Sequence, residues 1–321
     1  MPIDHEMPGA SAVTPTLVAD RAQSDPTLLF QLAREVAERE RVPAPDVTAA
    51  VAAAPLPAKL AGAAIHAELT ALLMAPGAPL ALQWLRDSGL LRRVLPEVDA
   101  TVDLSQEAGR RHKDVWEHTK QVVIQAPARV PVRWAALLHD VGKVRTRAIG
   151  PGGKVHFHGH AELGARQFDD IARRLQFERP LKQEVRFLIL HHLRANQYLP
   201  SWTDSAVRRF DRELQPWLED LLDLSRADIT SRRPGRRQEA LRQIDELWQR
   251  IVALREIDAR LPPLPSGLGD AIMTRFALPP SRRVGELRQL CEDAIERGEL
   301  EERQDADYYL DYLAKVVSAP A

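Results

Sequence analysis

From residue 25 onward, apolar residues recur at three- and four-residue spacing, and sustained alternation is nearly absent. Leu28, Leu29, Leu32 and Val36 fall on one helical face. Helical periodicity continues through Leu60–Leu73 and Leu80–Leu91, separated by Pro and Gly. The run Trp134-Ala135-Ala136-Leu137-Leu138-His139-Asp140-Val141-Gly142-Lys143 is apolar on nearly every face, which predicts a buried central helix with Gly142 as its stop. The Gly-rich stretch Arg147–Gly159 predicts a short hairpin. Periodicity resumes from Gln238 through Leu254, Pro262-Pro263-Leu264-Pro265 breaks it, and two helices are expected to close the chain. Residues 1–25 are rich in Ala, Pro, Ser and Asp without a period, so a flexible tail is expected there. The expected fold is all-α: a tail at 1–25, a helical segment at 26–100, a central helical domain at 101–237 and C-terminal helices at 238–321.

Titratable residues sit on these apolar stripes. Val115, His118 and Val122 share a face, as do Leu221, Leu224 and Asp228. Val185, Leu188 and Ile189 share one with His192, while His191 stands beside it. His160 ends the Gly-rich stretch and opens a helix running through Ala165 and Phe168. An ionised Asp140 in an apolar run is costly unless something positive pairs with it, and a divalent metal is the simplest partner. Imidazole nitrogens mixed with carboxylate oxygens suit Mn, Fe, Co, Ni or Zn, or Mg, and leave positions open for water. His118, His139, Asp140 and Asp228 suffice for one ion; adding His160 and His192 provides for two.

Net charge is −1 over 321 residues, so no global field draws the chain to nucleic acid, and DNA is not an expected partner. Cations do gather locally: Lys143, Arg145 and Arg147 follow the His-Asp doublet, and Arg208, Arg209, Arg226, Arg232, Arg233, Arg236 and Arg237 flank Asp228. Guanidinium forks fit phosphate oxygens, so Lys143, Arg145 and Arg208, with His191, are candidate substrate-binding residues. One cysteine, Cys291, excludes an internal disulfide and suits a reducing cytoplasm. No apolar run approaches the roughly 20 residues that span a bilayer, so no membrane partner is expected.

The doublet His139-Asp140, with an upstream His and a distant Asp, resembles the signature of the HD-domain metal-dependent phosphohydrolases. The stretches His112–Thr119, Leu138–Lys143, Val155–His160, Trp202–Arg209 and Ser225–Thr230 are similar to the neck, HD and tail parts of bacterial CCA-adding tRNA nucleotidyltransferases and poly(A) polymerases. That resemblance puts HD ligands at His118, His139, Asp140 and Asp228, and matches His160 and His192 to the additional histidines of two-metal subfamilies. It implies phosphate esters of nucleotides or RNA ends as substrates, with 2′,3′-cyclic phosphodiesterase, 2′-nucleotidase and phosphatase activities. Asp140, His139 and Lys143 become the expected catalytic residues. The nucleotidyltransferase head's Gly-Ser pair followed by an Asp-x-Asp on a strand is not found in the sequence; the comparable acid pair, Asp305 and Asp307, has no preceding Gly-Ser and reads as a solvated helix face, and nucleotide addition by this chain is not expected. Two other readings follow from the same resemblance. One is a tRNA- or RNA-binding module that partners a separate nucleotidyltransferase head; the other is a nucleotide-sensing HD protein.

Overall fold

The computed structural model describes residues 13–22, 24–55, 61–105, 114–231, 233–260 and 262–318. His112 and Lys113 of the motif entering the central domain, and Arg232 of the basic run, lie outside them. The described residues are all-α apart from one hairpin. The helices are α1 (Pro15–Arg21), α2 (Thr27–Arg39), α3 (Pro45–Ala53), α4 (Gly62–Met74), α5 (Ala78–Asp87), α6 (Leu90–Val94), α7 (Pro96–Asp99), α8 (Val115–Gln125), α9 (Val130–Leu138), α10 (Lys143–Thr146), α11 (His160–Arg174), α12 (Arg179–His191), α13 (Asp204–Leu214), α14 (Leu218–Asp228), α15 (Pro234–Arg260), α16 (Leu268–Phe276), α17 (Arg282–Glu296) and α18 (Ala306–Ser318). The hairpin pairs β1 (Ala148–Ile149) antiparallel with β2 (Val155–His156), in the Gly-rich stretch expected to hold one.

Several expectations need correction. Residues 15–21, expected within a flexible tail, form α1: Thr14 caps it, Pro15 opens it and Val18 is fully buried. The segment Leu80–Leu91 breaks at Ser88-Gly89, where Gly89 takes a left-handed φ of 74°. Three helices, not two, follow the proline break after Arg260, because Pro279-Pro280 ends one helical stretch and Gly298 another. Gly142 is not the stop of the central helix. The helix ends at Leu138 with His139 as its C-cap, and Gly142 serves a close approach, since a Cβ there would lie 2.1 Å from the His160 carbonyl oxygen.

The chain divides into two compact units, one built from Met1–Asn196 with Glu219–Gln238 and the other from Gln197–Leu218 with Glu239–Ala321. In the first unit α2 packs on α4 and α5, α9 contacts α4, α8 and α12, and α11 packs on α12. The helical segment at 26–100 therefore shares a core with the central domain. Tryptophans sit at these seams with their indole N–H groups satisfied, as buried Trp requires. Trp134 donates to Thr70 Oγ1 at 2.9 Å, Trp84 to Thr48 Oγ1 at 3.0 Å and Trp116 to Gln83 Oε1 at 3.2 Å. Arg133, the charged residue buried on α9, donates to the carbonyls of Leu73 and Pro127. In the second unit Leu268, Ile272, Leu287, Cys291, Tyr309 and Leu313 build a core from α16, α17 and α18. Among the described residues no helix is long and apolar enough to cross a membrane. Asp305 and Asp307 are both at the surface end of α18, where Asp305 caps the helix by accepting from the Tyr308 N–H at 2.9 Å.

Candidate metal centre

Each candidate ligand reaches the centre for a local reason. Asp114 caps α8, accepting from the Glu117 N–H at 3.1 Å, and His118 follows on the first full turn. His139 and Asp140 occupy the turn after α9, one of the most buried helices in the unit. His160 is the first residue of α11, entered through Gly159 at a left-handed φ of 74°. Gly142 and Gly164 let α11 and the doublet's turn meet backbone to backbone, and this brings His160 against Asp140. His192 caps the C-terminus of α12, and Asp228 ends α14.

The imidazoles are oriented by a common device. His139 Nδ1 lies 2.9 Å from the Ala136 carbonyl, His160 Nδ1 2.8 Å from that of Phe157, and His192 Nδ1 2.8 Å from that of Ile189. A carbonyl can only accept, so the proton of each neutral ring sits on Nδ1 and Nε2 presents a bare lone pair. His118 Nδ1 meets the Thr230 hydroxyl at 2.9 Å. The Nε2 atoms then face one another, His118 to His139 at 3.3 Å and His160 to His192 at 3.2 Å. At that distance each pair needs a cation between its lone pairs, whether a proton or a metal ion.

Two carboxylates complete the set. Asp228 Oδ1 is 2.9 Å from His118 Nε2 and 3.5 Å from His139 Nε2. Asp140 faces both ways. Its Oδ2 lies 3.2 Å from His139 Nε2 and 3.6 Å from His118 Nε2, and its Oδ1 lies 3.6 Å from His160 Nε2. Two groups of ligand atoms result, His118 with His139 and Asp228, and Asp140 with His160 and His192. Asp140 Oδ1 is buried with no hydrogen-bond partner, which an ionised carboxylate tolerates only beside a cation. The residues therefore fit divalent metal ions, with Asp140 between two positions.

The electrostatics agree. Burial opposes charge on His139, yet Asp140 and Asp228 override it and push its pKa up to about 10. Burial, aided by the neighbouring His139, pushes His192 down to about 4, and burial also lowers His160. Burial acts against ionisation of both carboxylates as well. His139 and Lys143 nevertheless hold Asp140 well below its usual range, and hydrogen bonds from His118 and His139 do the same for Asp228. The centre thus binds positive charge strongly, a proton on His139 included.

Of the residues expected to bind substrate, Lys143 stands at the centre, with Nζ 2.7 Å from Asp140 Oδ2 and 5.4 Å from the centroid of the Phe157 ring. Arg145 lies on α10, next in line. His191 is half-buried against Phe187, with ring centroids 4.4 Å apart, and is not among the clustered ligands. Arg208 already has partners. It belongs to the second unit, where Asp258 accepts from its Nε at 2.7 Å and from its Nη2 at 2.9 Å, with Glu302 3.2 Å away. Its fork is already filled by carboxylates. Thr230, which fixes His118, and Gln125, whose amide donates to the Ala227 carbonyl just before Asp228 at 2.6 Å, do not stand out in the sequence. Thr230 lies two residues after an expected ligand, and that proximity is the one available signal.

Residues 102–233 match the HD domain family, and every clustered ligand falls inside the match. The chain carries an HD domain. Beyond it, the chain is 35% identical over 259 residues to the A-adding tRNA nucleotidyltransferase of Deinococcus radiodurans, covering 78% of this chain and 58% of that protein. It is 32% identical over 259 residues to the CC-adding tRNA nucleotidyltransferase of Thermus thermophilus, covering 77% of this chain and 56% of that one. The Multifunctional CCA protein of Chromobacterium violaceum matches over 189 residues at 32% identity, which is 54% of this chain and 44% of that protein. The chain thus spans little more than half the length of the first two relatives.

Proposed function

We propose that this HD domain is a cytoplasmic, metal-dependent phosphohydrolase acting on phosphate esters of nucleotides or RNA ends, with 2′,3′-cyclic phosphodiesters and phosphomonoesters as the leading substrates. The observation that carries this reading is the convergence of four imidazole Nε2 atoms with the carboxylates of Asp140 and Asp228, where Asp140 Oδ1 has no hydrogen-bond donor. His118, His139 and Asp228 would hold one ion, His160 and His192 a second, and Asp140 would bridge them. Such ions, when bound, polarise phosphoryl oxygens and acidify water so that a nucleophile exists near neutral pH.

The remaining chemistry belongs to the chain. The Nδ1 anchors on the Ala136, Phe157 and Ile189 carbonyls hold three rings in the ligating tautomer, and Thr230 Oγ1 positions the ring of His118. Lys143 lies against Asp140 Oδ2, where its ammonium offsets negative charge growing on the phosphate. Arg145 adds a second cation on the same short helix, and His191 stands beside His192 as a substrate contact. The test is a screen of phosphate esters with the metal-loaded protein, before and after chelation. Hydrolysis that vanishes with chelator and returns with Mn, Co or Ni supports the reading; hydrolysis undiminished without metal overturns it.

A second reading has its own support, because the relatives above are named for adding nucleotides to tRNA. In it the chain is an RNA-binding module or the partner of a nucleotidyltransferase head. A tRNA gel shift that is indifferent to metal, together with no ester hydrolysis, would favour that role.

A further inference from the structure

The hairpin beside the metal centre carries cations without local acids to balance them. No Asp or Glu lies between Asp140 and Glu162, while Lys143, Arg145, Arg147 and Lys154 do. Among the described residues Arg147 and Lys154 are exposed and join no ion pair, whereas Arg129, Arg174, Arg186, Arg208 and Arg250 all do. The hairpin is short and well held. Ala148 pairs with His156 and Ile149 with Val155, and the Gly150 N–H donates to the Lys154 carbonyl at 2.8 Å. His156 and His158 project from the same side and stack with centroids 5.3 Å apart and planes 13° from parallel, His158 being exposed. Gly150 makes room for this stack, because a Cβ there would lie 2.6 Å from His156 Nε2.

Both ends of the hairpin are fastened to the centre. Its N-terminal end leaves α10, whose Lys143 sits on Asp140. Its C-terminal end is Phe157, whose ring meets Lys143 and whose carbonyl orients His160. A strand of phosphates leaving the centre along the hairpin would meet exposed cations and a flat aromatic pair.

We propose that residues 147–159 form a lip that binds the phosphodiester backbone of a single-stranded polynucleotide, so that the centre prefers the end of an oligonucleotide to a free nucleotide. The inference rests on the phosphohydrolase reading for its kinetic consequence. Arg147 and Lys154 take phosphate oxygens, and His158 stacks on a base.

The test compares the metal-loaded wild type with the Arg147→Ala/Lys154→Ala double variant and with His158→Ala. Substrates are a 2′,3′-cyclic mononucleotide and a 12-nucleotide RNA ending in the same cyclic phosphate. Fluorescence anisotropy with 3′-hydroxyl 12-mers of RNA and of DNA measures binding without any turnover. The double variant is expected to bind the RNA 12-mer about tenfold more weakly, with the slope of log K against log salt reduced by about 1.4, near 0.7 for each phosphate left without its cation. Its kcat/KM should fall for the oligonucleotide and stay at the wild-type value for the mononucleotide. Arg147→Lys with Lys154→Arg should restore binding. An equal weakening with DNA assigns the recognition to phosphate oxygens; a larger weakening with RNA adds the ribose hydroxyl. Unchanged affinity and salt slope in the double variant overturn the lip. A wild type that hydrolyses neither ester overturns the phosphohydrolase reading instead, and anisotropy still decides the lip.

Discussion

In the second unit Arg208 and Arg303 meet Asp258 and Glu302; in the first, Asp140 and Asp228 meet four imidazoles and Lys143. Both clusters are rich in charge, the arginine cluster only partly buried and the histidine cluster largely so. The first-named is balanced, two guanidinium groups against two carboxylates, with Arg208 in bidentate contact with Asp258. The other is not. Its four imidazoles turn Nε2 inward, and three of them, His139, His160 and His192, are held by a backbone carbonyl behind Nδ1. The arginine cluster supplies a cation for each carboxylate, whereas the histidine cluster gathers two groups of ligand atoms that fit an added cation.

This contrast is broken most severely at Asp140. Asp140→Ala should remove most bound metal and cut turnover by more than about 100-fold, beyond what removing a supporting hydrogen bond costs, while helical circular dichroism is retained. Full turnover by metal-free Asp140→Ala protein would sink the metal reading. Arg208→Ala should do the reverse. Leaving Asp258 and Glu302 with Arg303 alone should cost about 1 kcal/mol of stability in denaturant titration, with metal content unchanged. Loss of metal in that variant would show that the two clusters are not independent.

Thr230→Val sharpens the role of the anchors. Without the hydroxyl behind His118, metal affinity should fall about tenfold or more, and Thr230→Ser should restore it; equal affinity in all three proteins would assign Thr230 no orienting role. A smaller effect is expected where carboxylates crowd without a metal. Burial, then the hydrogen bond and charge of Asp220, raise Glu184 from 4.5 to about 7, against the pull of Arg129. The folded state therefore holds this proton more tightly than the unfolded one. The stability it contributes is fully present below about pH 4.5 and is lost as pH rises through about 7. Glu184→Gln should raise the Tm by a few degrees at pH 8 and leave it unchanged at pH 4; a Tm lowered equally at both would assign the group a different role.

Much of the candidate centre is legible in the sequence because its candidate ligands lie on or beside regular elements. His118, His192 and Asp228 announce themselves as polar residues on apolar stripes, and the doublet as a charge after an apolar run. Thr230 is not legible, since a hydroxyl behind a ligand on a loop leaves no periodic trace. The pairing of Arg208 is not legible for a related reason: its acidic partners Asp258 and Glu302 are about 50 and 90 positions away along the chain. Helix α1 is hidden by composition although Thr14-Pro15 is a sound start signal, and α17 merges with its neighbour in the periodic pattern although Pro279-Pro280 marks the break.

The central claim, that Asp140 joins two metal positions, is tested most directly by elemental analysis of the purified protein and of its His160→Ala variant. The account predicts about two ions per chain in the wild type and about one in the variant, which loses a ligand to one position only. One tightly held ion in the wild type, unchanged in His160→Ala, would contradict it and leave a mononuclear site.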